Sequence, residues 1–200
     1  MTWSRQEQTA ATNVETDTQL VAAQAREDGF LQDWLVLVPI PLIPERIAEA
    51  LDHQQTPDEA NLSPRRGDKI AVAGRDLVWQ EYHSTDHSLD LTGFVGQQVT
   101  FSAGYAVCYV VAERDMEGLR IKVGSDDDCK VYLNGKQIYR YNQPRGCLRD
   151  EDMVSDLTLR KGANVLVFKI VNRDYFWEGC LRFVDQRGDP VKAIRPQLVP

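Results

Sequence analysis

The stretch Arg120-Ile-Lys-Val-Gly-Ser-Asp-Asp-Asp-Cys-Lys-Val-Tyr-Leu-Asn-Gly-Lys-Gln-Ile138 decides the fold. Leu119, Ile121 and Val123 alternate with Arg120 and Lys122, the period of a strand with one buried face. Gly124, Ser125 and three aspartates then read as a turn, because short carboxylate side chains accept hydrogen bonds from nearby backbone N–H groups. A second strand runs from Cys129 to Leu133. Asn134-Gly135 reverses the chain into a third, Lys136–Tyr141, since Asn-Gly readily adopts the positive φ values of a tight hairpin.

The same texture extends in both directions. Strand candidates upstream are Phe30–Val38, Lys69–Val72, Leu77–Tyr82, Val99–Ser102 and Tyr105–Val111. Downstream are Leu157–Leu159, Asn164–Val171 and Cys180–Val184. In 164–171, Val165, Val167 and Lys169 oppose Leu166, Phe168 and Ile170, so both faces of that strand are expected to be covered. Turn signals recur at Gly118, Lys161-Gly162, Gly179 and Arg187-Gly188. Many short strands with closely spaced turns predict an all-β fold, an antiparallel β-sandwich or barrel. One helix interrupts it, near 44–52: Pro44 at the first turn, an early Glu45, and Ile47, Ala50 and Leu51 on one side. Residues 52–68 read as a polar loop. Residues 1–28 read as a peripheral segment, with a short helix over 14–27, leaving 29–196 as the single domain.

Composition narrows the function classes. The 200 residues are 42% hydrophobic and 26% charged, which suits a globular domain with a real core. The net charge of -7 argues against a phosphate-backbone binder, so no nucleic-acid partner is expected. The longest apolar run, Trp34–Ile43, is broken by Pro39 and Pro41 and falls far short of the ~20 residues of a membrane span. No apolar signal region follows Met1, so a cytoplasmic chain and an exported domain without its leader both remain open.

Gly124-Ser-Asp-Asp-Asp-Cys-Lys-Val-Tyr-Leu-Asn-Gly135 resembles the G-S-D-D-G-x-K-V-W-L-N-G signature of galactose-binding-domain-like β-sandwich modules, jelly-roll domains related in shape to carbohydrate-binding modules. Phe30–Pro39 resembles their opening strand, and Tyr105–Val110 the strand before the signature. Leu159–Ile170 resembles the L-K-x-G-x-N segment, and Trp177–Gly188 the closing strand. The likeness covers roughly residues 30–194. Asp128 replaces the usual glycine, Tyr132 the usual tryptophan, and 44–66 looks inserted. The resemblance implies a non-catalytic accessory module that binds a glycan or positions a partner domain. A more distant likeness is to the protective-antigen-type sugar-binding domain, in which paired aspartates hold calcium. Carried over, Asp126 and Asp127 would be ligands.

Chemistry gives the acidic turn two readings. Three adjacent carboxylates, Asp126, Asp127 and Asp128, repel one another and favour a cation, and oxygen ligands suit calcium. The same side chains can instead cap backbone amides and fix the hairpin. Sugar binding calls for aromatic platforms beside planar polar groups. Tyr139 and Tyr141 share a strand face, with Arg140 opposite. Tyr175 and Trp177 sit in a polar loop between strands, although strand aromatics such as Trp79 usually belong to the core. The loops 124–129, 142–152 and 172–178 form the candidate surface, with Arg145 and the aspartates supplying hydrogen bonds.

Other chemistry is poorly supported. His83 and His87 have helical metal spacing but lie on a strand and a loop. There is no G-x-S-x-G elbow, P-loop or G-x-G-x-x-G, and the acids Glu151 and Asp152 lie in a charge run. The alternatives are a protein-interaction module that has lost sugar binding and, behind it, an unrecognised hydrolase. Cys108, Cys129, Cys147 and Cys180 contain no C-x-x-C pair. Free thiols are the default, with Cys129–Cys147 the pairing to consider in an exported protein.

Overall fold

The computed structural model describes residues 26–200. The helix expected over 14–27 lies almost wholly outside the described residues. Thirteen strands follow: β1 (Asp33–Pro41), β2 (Lys69–Val72), β3 (Arg75–Val78), β4 (Gln80–His83), β5 (Leu89–Asp90), β6 (Ser102–Ala112), β7 (Met116–Asp126), β8 (Asp128–Leu133), β9 (Lys136–Tyr141), β10 (Asp152–Leu159), β11 (Gly162–Asn172), β12 (Glu178–Val184) and β13 (Ile194–Gln197). A short α-helix, α1 (Leu91–Val95), links β5 to β6, capped by the Asp90 carboxylate on the Gly93 N–H.

The large sheet runs β4-β1-β6-β11-β8-β9, with β13 beside β6. The small sheet runs β10-β7-β12-β5, and every pairing is antiparallel. Trp34, Val36, Cys108, Val131, Leu166 and Phe168 from the first pack against Ile121, Val123, Leu159, Leu181 and Phe183 from the second. The chain is therefore the antiparallel β-sandwich expected from its strand pattern. Asn134 and Gly135, both at positive φ, form the β8–β9 turn. Asn134 is held further: its Oδ1 accepts the Val165 N–H at 2.8 Å.

Two elements differ from expectation. The helix near 44–52 is a 3-10 turn over Pro44–Glu49, followed by buried Ala50 and Leu51. The strand expected over 77–82 is split at Trp79, which turns inward between β3 and β4 while its N–H donates to Asp68 O.

The continuous apolar runs have a physical cause. Leu35 and Leu37 of β1, Tyr105, Val107 and Tyr109 of β6, and Val167 and Val171 of β11 point away from the sandwich interior into a second core. Its cover is the insertion between β1 and β4: Ile47, Leu51, Leu62, Val72 and Trp79. Lys169 is trapped there with no exposure. Its ammonium donates to Glu59 Oε2 at 2.9 Å and to His53 O at 2.8 Å. Glu59 also accepts the hydroxyls of Tyr105 (2.5 Å) and Tyr132 (2.6 Å), so both carboxylate oxygens are satisfied. Lys130 reaches Leu51 O beside them. Burial pulls the Lys169 ammonium below the usual lysine range, and Glu59 opposes that pull.

Removing one partner of such a pair strands a buried charge. Glu59→Ala is expected to lower stability by about 3–5 kcal/mol in urea unfolding. Glu59→Leu combined with Lys169→Met is expected to lose clearly less, because no charge is left unpaired.

Candidate functional site

The acidic turn sits where β7 passes into β8, at one end of the sandwich, and its three carboxylates have three different fates. Asp127 joins two loops: Oδ1 accepts the Arg145 N–H at 3.1 Å and Oδ2 the Arg173 N–H at 2.8 Å. Asp128 is fully buried and takes the Arg173 guanidinium on both oxygens, at 2.9 and 3.2 Å. Burial raises the Asp127 and Asp128 carboxyls, and these partners resist the rise.

Asp126 differs. Among the described residues no donor reaches its carboxylate, and in the β7–β12 ladder it stands directly opposite Glu178. Burial, then the charges of Asp127, Glu178 and Asp174, push its carboxyl up to about 7. Glu178 is half-engaged, accepting the Ser88 hydroxyl at 2.7 Å.

Arg145 was expected to face a ligand but is spent inside the protein. Its guanidinium donates to Ser125 Oγ at 2.9 Å and Asp152 Oδ2 at 2.5 Å, and it lies 3.6 Å over the Tyr141 ring. Asp152 also takes the Tyr139 hydroxyl at 2.5 Å. Tyr139 and Tyr141 do share a face, yet that face packs on the sandwich core. Arg140, opposite, donates to Asp52 of the insertion.

The two loop aromatics separate. Tyr175 is 68% exposed, whereas Trp177 is fully buried, so Trp177 is a core residue and not a platform. Its backbone explains why: the Trp177 N–H donates to Thr92 Oγ1 and its carbonyl accepts from Leu91 N–H, drawing the ring inward over Gly104. A Cβ on residue 104 would lie 2.7 Å from that ring. The sequence reading missed Phe176, 64% exposed beside Tyr175. Two-residue alternation could not have flagged it: Tyr175 and Phe176 are both exposed, because the positive φ of Tyr175 breaks the extended period.

Three buried polar atoms of this loop lack a partner among the described residues: Asn172 Oδ1, Arg173 Nε and Trp177 Nε1. Since buried polar groups are nearly always paired, this is the least satisfied corner of the domain.

A three-aspartate calcium site does not fit these residues. Asp128 is closed over by Arg173, both Asp127 oxygens already accept N–H groups, and among the described residues no group of three His, Cys, Asp or Glu could hold a metal ion. His83 bonds Asp33 at 2.7 Å instead of a metal partner. Among the described residues no helix is long and apolar enough to cross a membrane.

No protein-family model and no curated protein matches the chain. Solved structures do. The chain is similar to the PA14 sugar-binding domain from an RTX adhesin (13% identity, TM-score 0.40, 83% of this chain and 96% of that one). It is similar to the PA14 domain of the MpAFP antifreeze protein (13%, TM-score 0.39, 85% and 90%). It also matches the Ruminococcus gnavus beta-glucuronidase (13%, TM-score 0.43), covering 76% of this chain and 28% of that one. Likeness this distant says nothing about what the acidic corner holds.

Two outcomes follow from the carboxylates. Asp127→Ala is expected to cost about 2–3 kcal/mol and to speed hydrogen exchange at the Arg145 and Arg173 amides, which lose their acceptor. For Asp126 the folded value lies above the unfolded 3.8, so its contribution to stability is present below about pH 4 and lost as pH rises towards 7. Asp126→Asn is thus expected to match the parent at pH 3.5 and exceed it at pH 8. The gain is about 1 kcal/mol, far below the nominal value because solvent screens this half-exposed group. Thermal unfolding at the two pH values checks it.

Proposed function

We propose that the chain is a non-catalytic binding module that takes a glycan at the loop end around Asp126. The observation that carries this reading is the division of labour in the acidic turn. Asp127 and Asp128 hold the loops, which leaves Asp126 as a carboxylate with acceptor capacity to spare. Sugar hydroxyls are donors in search of such acceptors, and charge-assisted bonds of this kind are the stronger ones. The loop that Asp127 pins at Arg173 carries Tyr175 and Phe176, two exposed rings against which the C–H face of a pyranose can lie. Asp174 and Glu178 add acceptors on the same loop and strand.

A second reading has its own support. Leu148 and Phe176 are both large, apolar and well exposed, which also suits a protein partner. A glycan array followed by calorimetric titration, with and without calcium, separates the two. Glycan binding is expected, weakened roughly tenfold, about 1.4 kcal/mol, by Tyr175→Ala or Phe176→Ala. Unfolding midpoints should not change, since both side chains stand in water. An array blank in both conditions would sink the glycan reading and leave the protein partner.

A further inference from the structure

We propose that Cys147 and Cys180 form a thiol–disulfide site, which small-molecule disulfides oxidise to a bridge locking the β9–β10 loop onto β12. This inference stands apart from the glycan reading and does not need it.

The geometry is set by the fold. Cys180 lies on β12 between Gly179 and Leu181; Leu181 points into the sandwich core, so Cys180 faces outward. Its register partner on β7 is Gly124. Above that pair the β9–β10 loop crosses the sheet, and only a glycine lets it pass. A Cβ on residue 124 would lie 2.0 Å from Leu148 O and 2.9 Å from Cys180 Sγ. The loop is fastened on either side of Cys147: Arg145 donates to Asp127 and Ser125, and Asp150 pairs with Arg182. Cys147 is thereby held with its sulfur 3.9 Å from Cys180 Sγ, donating its S–H to it.

All four cysteines are free thiols. The Cys129–Cys147 pairing considered from the sequence is not the one the fold brings together. Cys129 points into the sandwich core, while the sulfur beside Cys147 is that of Cys180. Cys108 is likewise sealed in the core. Cys147 alone is partly exposed, so it is the thiol an oxidant can reach.

The reaction balances as two exchanges. Cys147 gives up its proton, and its sulfur attacks one sulfur of the oxidant R–S–S–R, forming a mixed disulfide and releasing one R–S⁻. Cys180 gives up its proton and attacks Cys147 Sγ, breaking the mixed bond and releasing the second R–S⁻. The two thiolates take the two protons, and two electrons pass from the cysteine pair to the oxidant. A disulfide brings the sulfurs to about 2 Å, so bridging closes the present 3.9 Å separation by about 2 Å. The hydrogen bond to Cys180, burial, and the Glu178 and Asp126 carboxylates push the Cys147 thiol up, so thiolate is scarce and exchange is slow.

The test is prolonged incubation of the native chain with oxidised glutathione, then unfolding, alkylation and mass spectrometry. The expected product is two hydrogens lighter, carries two alkyl groups in place of four, and yields a peptide cross-linked through Cys147 and Cys180. Its unfolding midpoint is raised, and reductant reverses both changes. Cys147→Ser is expected to abolish the mass loss. Cys180→Ser is expected to stop at a glutathione adduct on Cys147. Four alkylated thiols after incubation, or a bridge between any other pair, would overturn the proposal.

Discussion

The arrangement depends on burying Lys169 with Glu59. A strand that carries apolar residues on both faces, as β11 does, must be covered on both faces, and a single sandwich partner covers one. The insertion between β1 and β4 covers the other, and the ammonium at its centre is tolerable only because Glu59, two tyrosines and backbone carbonyls meet there. The pair is better read as a device that fixes where the insertion docks than as a source of net stability.

This constraint decides which surfaces the fold covers. The outer face of the large sheet is closed by the insertion. Part of the outer face of the small sheet is closed by the β9–β10 loop over Gly124 and by Phe30, whose ring lies 5.0 Å from the Arg182 guanidinium. The loop end with Asp126, Asp174 and the exposed Tyr175 and Phe176 is left uncovered by either element. The rigid part of that end is built from Asp127 and Asp128, which fasten the loops at Arg145 and Arg173. Loops held by a stiff frame are where function usually resides.

Much of this was legible in the residues. Alternation in 118–123 and the Asn134-Gly135 turn predicted antiparallel strands, and opposed apolar faces in 164–171 predicted cover on both sides, because these signals act locally. The site was legible only in part. The acidic turn was visible as a turn, yet its three carboxylates look alike in sequence and differ only through long-range partners, Arg145 and Arg173. Trp177 looked like a loop aromatic because nothing nearby in the chain shows that Thr92 and Leu91 pull its backbone inward. Arg145 looked available because Ser125 comes from another strand, 20 positions away, and the turn that folds Asp152 back onto it leaves no mark in the sequence. The Cys147–Cys180 approach escaped for the same reason: 33 positions separate residues that meet only because the β9–β10 loop crosses β12 above Gly124.

The most direct test of the account is native-state hydrogen exchange with increasing denaturant. The Gly67 and Trp79 amides, bonded within the insertion to Trp79 O and Asp68 O, should exchange only by the same global opening that exposes β11. If those two amides open at a much lower free energy while β11 stays protected, the insertion is an appendage and the buried Lys169–Glu59 pair does not govern the fold.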